Sequence, residues 1–132
     1  MQETKVQPFA DAIYRYAANE YHETYLSWKS ITWLQNILEK KKIPYLFTLA
    51  HNSLFYKDFD QHKDQDKFML GLYKEIDFTK WFFFSERCMG FNQWASLNEY
   101  PYGTTHPLDK AHKDAVKLML PKFEQIIGGK NV

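Results

Sequence analysis

Among 132 residues there is one cysteine, Cys88. A lone thiol cannot form an intramolecular disulfide, and no second cysteine stands near it to make a redox or zinc pair. The chain therefore fits a reducing compartment, with Cys88 as a small buried residue. No run of about 18 apolar residues occurs, so no transmembrane helix is expected. The opening residues Met1-Gln2-Glu3-Thr4-Lys5 lack the apolar stretch of a signal peptide, and a cytoplasmic protein is expected. Charge of one sign is also missing. A formal net charge of +1 gives no reason to expect a nucleic-acid polyanion as partner. No internal repeat and no low-complexity segment is visible. The five histidines include no metal-ligand pair such as His-x-x-x-His, so neither a metal nor another cofactor is expected. Asp58, Asp60, Asp64 and Asp66 alternate with Lys57, Lys63 and Lys67, but no glycine or bidentate glutamate stands at EF-hand spacing. A solvated, salt-bridged loop accounts for them.

What remains is an ordinary globular composition rich in rings. The length suits one domain spanning 1–132. Hydrophobic residues make up 45% and aromatic residues 18%, which predicts a core built largely from rings. Pro8 fits the first turn of a helix, where a missing N–H costs nothing. A second helix is expected from Glu23 to Lys41, with Leu26, Trp28, Ile31, Leu34, Ile37 and Leu38 as its buried stripe. The run Lys40-Lys41-Lys42 complements the dipole at its end. Ile43 to Ala50 is short, apolar and introduced by proline, as in a strand of a parallel sheet. His51-Asn52-Ser53 then lies just past the carboxyl end of that strand, where ligands gather in open α/β sheets.

Further along, Asp66 to Ile76 reads as a short helix with Phe68, Met69, Leu72, Tyr73 and Ile76 inward. Trp81 to Phe84 reads as a second strand, and Gly90 to Leu97 as a short helix. Pro107 is expected to open the last helix, with Leu108, Ala111, Ala115, Val116 and Met119 buried. Pro121 predicts a kink or restart. The predicted core includes Leu34, Ile37, Leu46, Phe47, Phe83, Ala115 and Met119. Helices alternating with strands argue for an α/β fold with a parallel sheet.

The residues with most chemical content are Gly103-Thr104-Thr105-His106-Pro107-Leu108-Asp109-Lys110-Ala111-His112. His106 precedes a proline at a loop-to-helix junction, Asp109 sits where its charge favours the helix dipole, and His112 follows six positions after the first histidine. This block resembles the final block of the SGNH hydrolases, the GDSL-type esterases. Trp33 to Leu38 followed by Ile43 to Phe47 is similar to a helix and strand of the same fold, and the resemblance covers roughly residues 25 to 127. It implies a partial three-layer α/β/α fold, flavodoxin-like and SGNH-type, with few parallel strands and flanking helices. The chain would correspond to the C-terminal half of such a domain.

The same resemblance implies His106 as the catalytic general base that deprotonates a serine. The family's Gly-Asp-Ser is absent, and the position of its aspartate, three residues before the histidine, is Gly103. Gly90-Phe91-Asn92 matches a Gly-x-Asn oxyanion block by letters but lies close to His106 along the chain and is set aside. The implied function is an SGNH-hydrolase-like domain, the C-terminal part of a hydrolase of acyl esters or acylated carbohydrate, inactive alone. The alternative is a non-catalytic binding or structural interaction module with Trp94, Tyr100 and Tyr102 touching a partner. A sheet left short of strands implies a homodimer or a missing N-terminal half as partner.

Overall fold

The computed structural model describes residues 6–17, 19–55, 63–85 and 88–128. Helix α1 (Gln7–Ala12) has Pro8 in its first turn and passes into a π-helical turn, Ile13–Ala17, with no buried residue in either. Asn19 then starts α2 (Glu20–Lys40). Its side-chain oxygen accepts the His22 N–H at 3.1 Å, meeting one of the donors a helix start leaves open. At the other end the Lys42 N–H donates to the Glu39 carbonyl and the Ile43 N–H to that of Leu38, each at 3.0 Å. This six-to-one closure requires a left-handed residue, usually glycine, and here it is Lys42 at φ 55. The expected end near Lys41 is found; the start lies at Glu20, on the capping asparagine.

Two short strands, β1 (Phe47–Thr48) and β2 (Trp81–Phe82), pair in parallel with Phe47 opposite Trp81 and Thr48 opposite Phe82. Between them run a 3-10 turn at Asn52–Phe55, helix α3 (Lys63–Lys74) and a 3-10 turn at Phe78–Lys80. Helices α4 (Phe91–Leu97) and α5 (Asp109–Gly128) follow. The architecture is thus helix-rich, with mixed α and β elements around a two-stranded parallel sheet. Both strands are shorter than expected. Past Thr48 the carbonyls turn to α4: Leu49 accepts the Phe91 N–H at 2.8 Å and Ala50 the Asn92 N–H at 2.9 Å. Among the described residues no helix is long and apolar enough to cross a membrane.

Two core clusters form. Trp28, Leu49, Met69, Ile76 and Trp81 make the first, packed by rings from α2, α3 and the loops. Phe84, Trp94, Ala95, Ala111 and Ala115 make the second, joined by Phe82, Phe91 and Tyr100. Because side chains alternate along extended chain, Trp81 and Phe83 serve the first cluster while Phe82 and Phe84 serve the second. Ala111 and Ala115 let the α5 backbone approach these rings closely. The expected ring-built core is observed, and Cys88 is buried as expected.

Several burial expectations are corrected. Leu34 and Ile37 are 47% and 52% exposed, and Leu26 is 43% exposed. Leu46, Phe47, Phe83 and Met119 are half-buried, and Ala115 is buried. Phe68, Leu108 and Val116 are exposed. The buried face of α2 is instead Thr24, Trp28, Thr32 and Gln35. These positions recur at four, four and three residues, which keeps them within one side of the helix at 100° per residue. Polar groups can stay there because they are bonded. The Thr32 hydroxyl donates to the Trp28 carbonyl at 2.8 Å. The Gln35 amide donates to the Glu75 carbonyl and accepts from the Asp77 N–H, both at 2.8 Å, tying α2 to the segment after α3. Helix α5 starts at Asp109 rather than Pro107, which is buried in an isolated bridge to Tyr102. It runs unbroken through Pro121. The proline lies on an exposed position, and one missing bond does not end a helix of 20 residues. Lys57, Asp58, Asp60 and the first five residues lie outside the described residues, and Lys63, Asp64, Asp66 and Lys67 stand in α3 rather than in a loop.

One polar contact anchors α5 to the loop before it. The Tyr100 hydroxyl donates to Asp114 Oδ2 at 2.8 Å, and Lys117 Nζ lies 3.1 Å from Oδ1. The hydrogen bond from Tyr100 and then that from Lys117 hold the Asp114 carboxyl below its ordinary range, and the same bond to Asp114 raises the Tyr100 hydroxyl. A depressed carboxylate stabilises the fold above the ordinary carboxyl range, and that stabilisation is lost as pH falls through the folded value. A raised phenol stabilises below its ordinary value and loses this as pH rises through the folded one. The melting temperature of Tyr100→Phe should therefore fall less steeply than the parent's on acidification below about pH 4, where carboxyls ordinarily titrate. Parallel acid-side melting slopes would show that the contact adds nothing.

Candidate functional site

The carboxyl end of the sheet is assembled around Gly90-Phe91-Asn92. The backbone bonds from Phe91 and Asn92 to the exit of β1 press this segment against His51 and Asn52. At Gly90 a Cβ atom would lie 2.8 Å from the His51 carbonyl carbon and 2.9 Å from the Asn52 nitrogen. Only glycine permits so close an approach. Gln93 adds a further tie, its side-chain oxygen accepting the Asn52 N–H at 3.2 Å.

The His106 turn is fastened to the same segment. The Tyr102 hydroxyl donates to the Asn92 carbonyl at 2.6 Å. Tyr102 and Pro107 form an antiparallel bridge. The Gly103 N–H donates to the His106 carbonyl at 2.8 Å and the Leu108 N–H to that of Pro101 at 3.0 Å. The imidazole of His106 is exposed at the tip of this closed turn. On α5 the exposed His112 ring lies 4.8 Å from that of Phe91 at the start of α4. Thus one three-residue segment carries His51 by backbone contact, His112 by ring contact and the His106 turn through Tyr102.

The chemistry available is restricted. No hydrogen bond joins the His106 ring to another described residue, and Gly103 offers no acid. None of the serines with described side chains bonds His106; the Ser30 hydroxyl, for instance, donates to the Leu26 carbonyl at 2.8 Å. The Phe91 and Asn92 N–H groups are occupied by the Leu49 and Ala50 carbonyls, and the Asn92 side chain is half-buried. Among the described residues no group of three His, Cys, Asp or Glu side chains could hold a metal ion. Of the three rings that the interaction-module alternative invokes, Trp94 is buried, Tyr100 is half-buried and bonded to Asp114, and Tyr102 is exposed with its hydroxyl bonded to Asn92.

Sequence reasoning identified His106 as part of a turn at a helix start. It set aside Gly90-Phe91-Asn92 for nearness along the chain, and the fold places that segment at the centre. The signal was the isolated Gly before an aromatic helix start. No family model matches the chain, and no curated protein and no solved structure matches it.

Proposed function

We propose that this chain is an SGNH-hydrolase-like domain contributing the general base His106 to cleavage of an acyl ester or acylated carbohydrate. Its two core clusters, served by alternate side chains of the sheet, support a partial three-layer α/β/α arrangement of flavodoxin-like, SGNH type. The observation that carries the reading is the fastening of the His106 turn, through Tyr102 and Asn92, to the carboxyl end of a parallel sheet. That edge is where open α/β sheets bind ligands. An exposed imidazole held there can take a proton from an attacking hydroxyl and return it to the leaving alkoxide. The Asn92 amide would donate to the oxygen that gains charge.

Nucleophile and orienting acid come from outside the residues described, from an N-terminal half or another chain. An unoriented histidine without its nucleophile is a weak catalyst. The chain alone is therefore expected to hydrolyse p-nitrophenyl acetate no faster than free imidazole at equal concentration. Turnover that disappears in His106→Ala would overturn this half-site. The ligand side is tested separately by NMR with peracetylated N-acetylglucosamine. Shifts at Asn92, Tyr102 and His106 are expected, and a spectrum unchanged at millimolar ligand would remove the assignment.

A further inference from the structure

Beside β2 runs a groove of about 440 Å³, lined by Phe78, Trp81, Phe82, Phe83, Ser85 and Lys122. Trp81, Phe82 and Phe83 are consecutive, and neighbouring side chains of an extended chain point to opposite faces. A hollow that all three border therefore lies along the edge of the strand, not on one face of the sheet. The other edge of β2 pairs with β1, and among the described residues no third strand joins the sheet. We propose that this open edge of β2 takes an extended segment of a partner protein as a third strand, a segment in which apolar and acidic residues alternate.

The backbone selects a chain over a small molecule. An unpaired edge presents N–H and C=O groups at strand spacing, and another extended backbone meets them in series. The Phe84 N–H is already given to the Met89 carbonyl at 3.1 Å, so the edge on offer is short, from Trp81 to Phe83. Bonds over so few residues carry little specificity, and the side chains must supply it.

The two faces of an added strand meet different surroundings. On one face stand Phe78, Trp81 and Phe83 of the first core cluster, with the Trp81 and Phe83 rings stacked 5.8 Å apart. Apolar side chains at every second position suit that face. On the other face Phe82 joins the second cluster together with Met119 of α5, and Lys122 follows one turn further along that helix. Lys122 is half-buried and is the one ionisable group lining the groove, and no ion pair holds it among the described residues. Two carboxylates lie in its neighbourhood, and neither lines the groove. Glu39 shares a separate cleft with Lys122 and accepts the Tyr45 hydroxyl at 2.8 Å. Asp77, whose charge also acts on Tyr45, accepts the N–H of Thr79 at 3.0 Å and its hydroxyl. An acidic side chain on this face of the added strand gives Lys122 a charge partner inside the groove. The inference does not depend on the reading of the His106 edge.

The experiment titrates the full chain with acetyl-Val-Glu-Val-Glu-Val-Thr-amide and follows the backbone amides by NMR. Shifts at Trp81, Phe82 and Phe83 are expected. The same peptide with lysine in place of glutamate should bind at least tenfold more weakly. Lys122→Glu should reverse that order while keeping the parent's circular dichroism. Alternate N–H groups of a strand face the edge, so N-methylation of one alternate set should abolish binding and that of the other set should leave it. Shifts lying away from β2, two N-methylated sets that behave alike, or a folded Lys122→Glu that keeps the parent's preference would each overturn the proposal. Shifts at the same three amides on raising the chain concentration without peptide would make a second copy the occupant and overturn it as well.

Discussion

Trp28→Ala is expected to cost about 3–5 kcal/mol, the usual range for removing a fully buried large ring. Trp28 has no exposed surface and belongs to the first core cluster. Its ring centre lies 5.4 Å from that of Tyr73 and 5.8 Å from that of Phe55. Its indole N–H donates to the Leu54 carbonyl at 3.3 Å, so truncation also leaves that carbonyl without its partner. Domains of this kind are stable by roughly 5–15 kcal/mol, so the variant should lose a large share of the fold's stability. Leu34→Ala and Ile37→Ala on the same helix should stay within about 1 kcal/mol of the parent, because both side chains are about half exposed. Urea unfolding of the three variants separates the two faces. A loss at Leu34 as large as at Trp28 would mean that the buried face of α2 is wrongly placed.

That contrast also explains what the sequence could disclose. The helices α2 to α5 and both strands were legible from periodicity and from Pro44 and Gly90. The inward face of α2 was not. Leu26, Trp33 and Ile37 sit on the side opposite Thr24, Trp28 and Gln35, so apolar residues occupy both sides and a hydrophobic count cannot choose between them. The deciding residues are polar. Gln35 is buried because backbone groups at Glu75 and Asp77, forty and forty-two positions away, meet both ends of its amide. No local rule contains those partners.

The candidate site divides in the same way. His106 before Pro107 was readable as a turn, because the junction is local. The role of Gly90-Phe91-Asn92 rests on bonds to Leu49, Ala50 and Tyr102. Distance along the chain does not disclose those bonds.

Self-association should be the largest effect at the surface. A stable interface needs only about 800 Å² from each partner. The exposed apolar residues fall into stripes. On α2, Leu26, Trp33 and Ile37 are exposed at spacings of seven and four, the seam of a helix that packs on both sides. On α5, Val116, Leu120, Phe123 and Ile127 are exposed at spacings of four, three and four. Each strand of the two-stranded sheet also has one edge unpaired among the described residues, and such an edge is a template for another chain. A second copy always carries the matching surface, and a two-fold arrangement of the α2 stripes closes on itself. Sedimentation equilibrium at micromolar to hundred-micromolar chain should therefore give a dimer. The double variant Trp33→Glu, Ile37→Glu should shift it to monomer without changing the helical circular dichroism, since neither side chain serves the core. Trp33 is the expected anchor, as large aromatics near the centre of an interface generally are. A parent that stays monomeric across that range, or a double variant that dimerises as well as the parent, would rule out the α2 stripe as the contact.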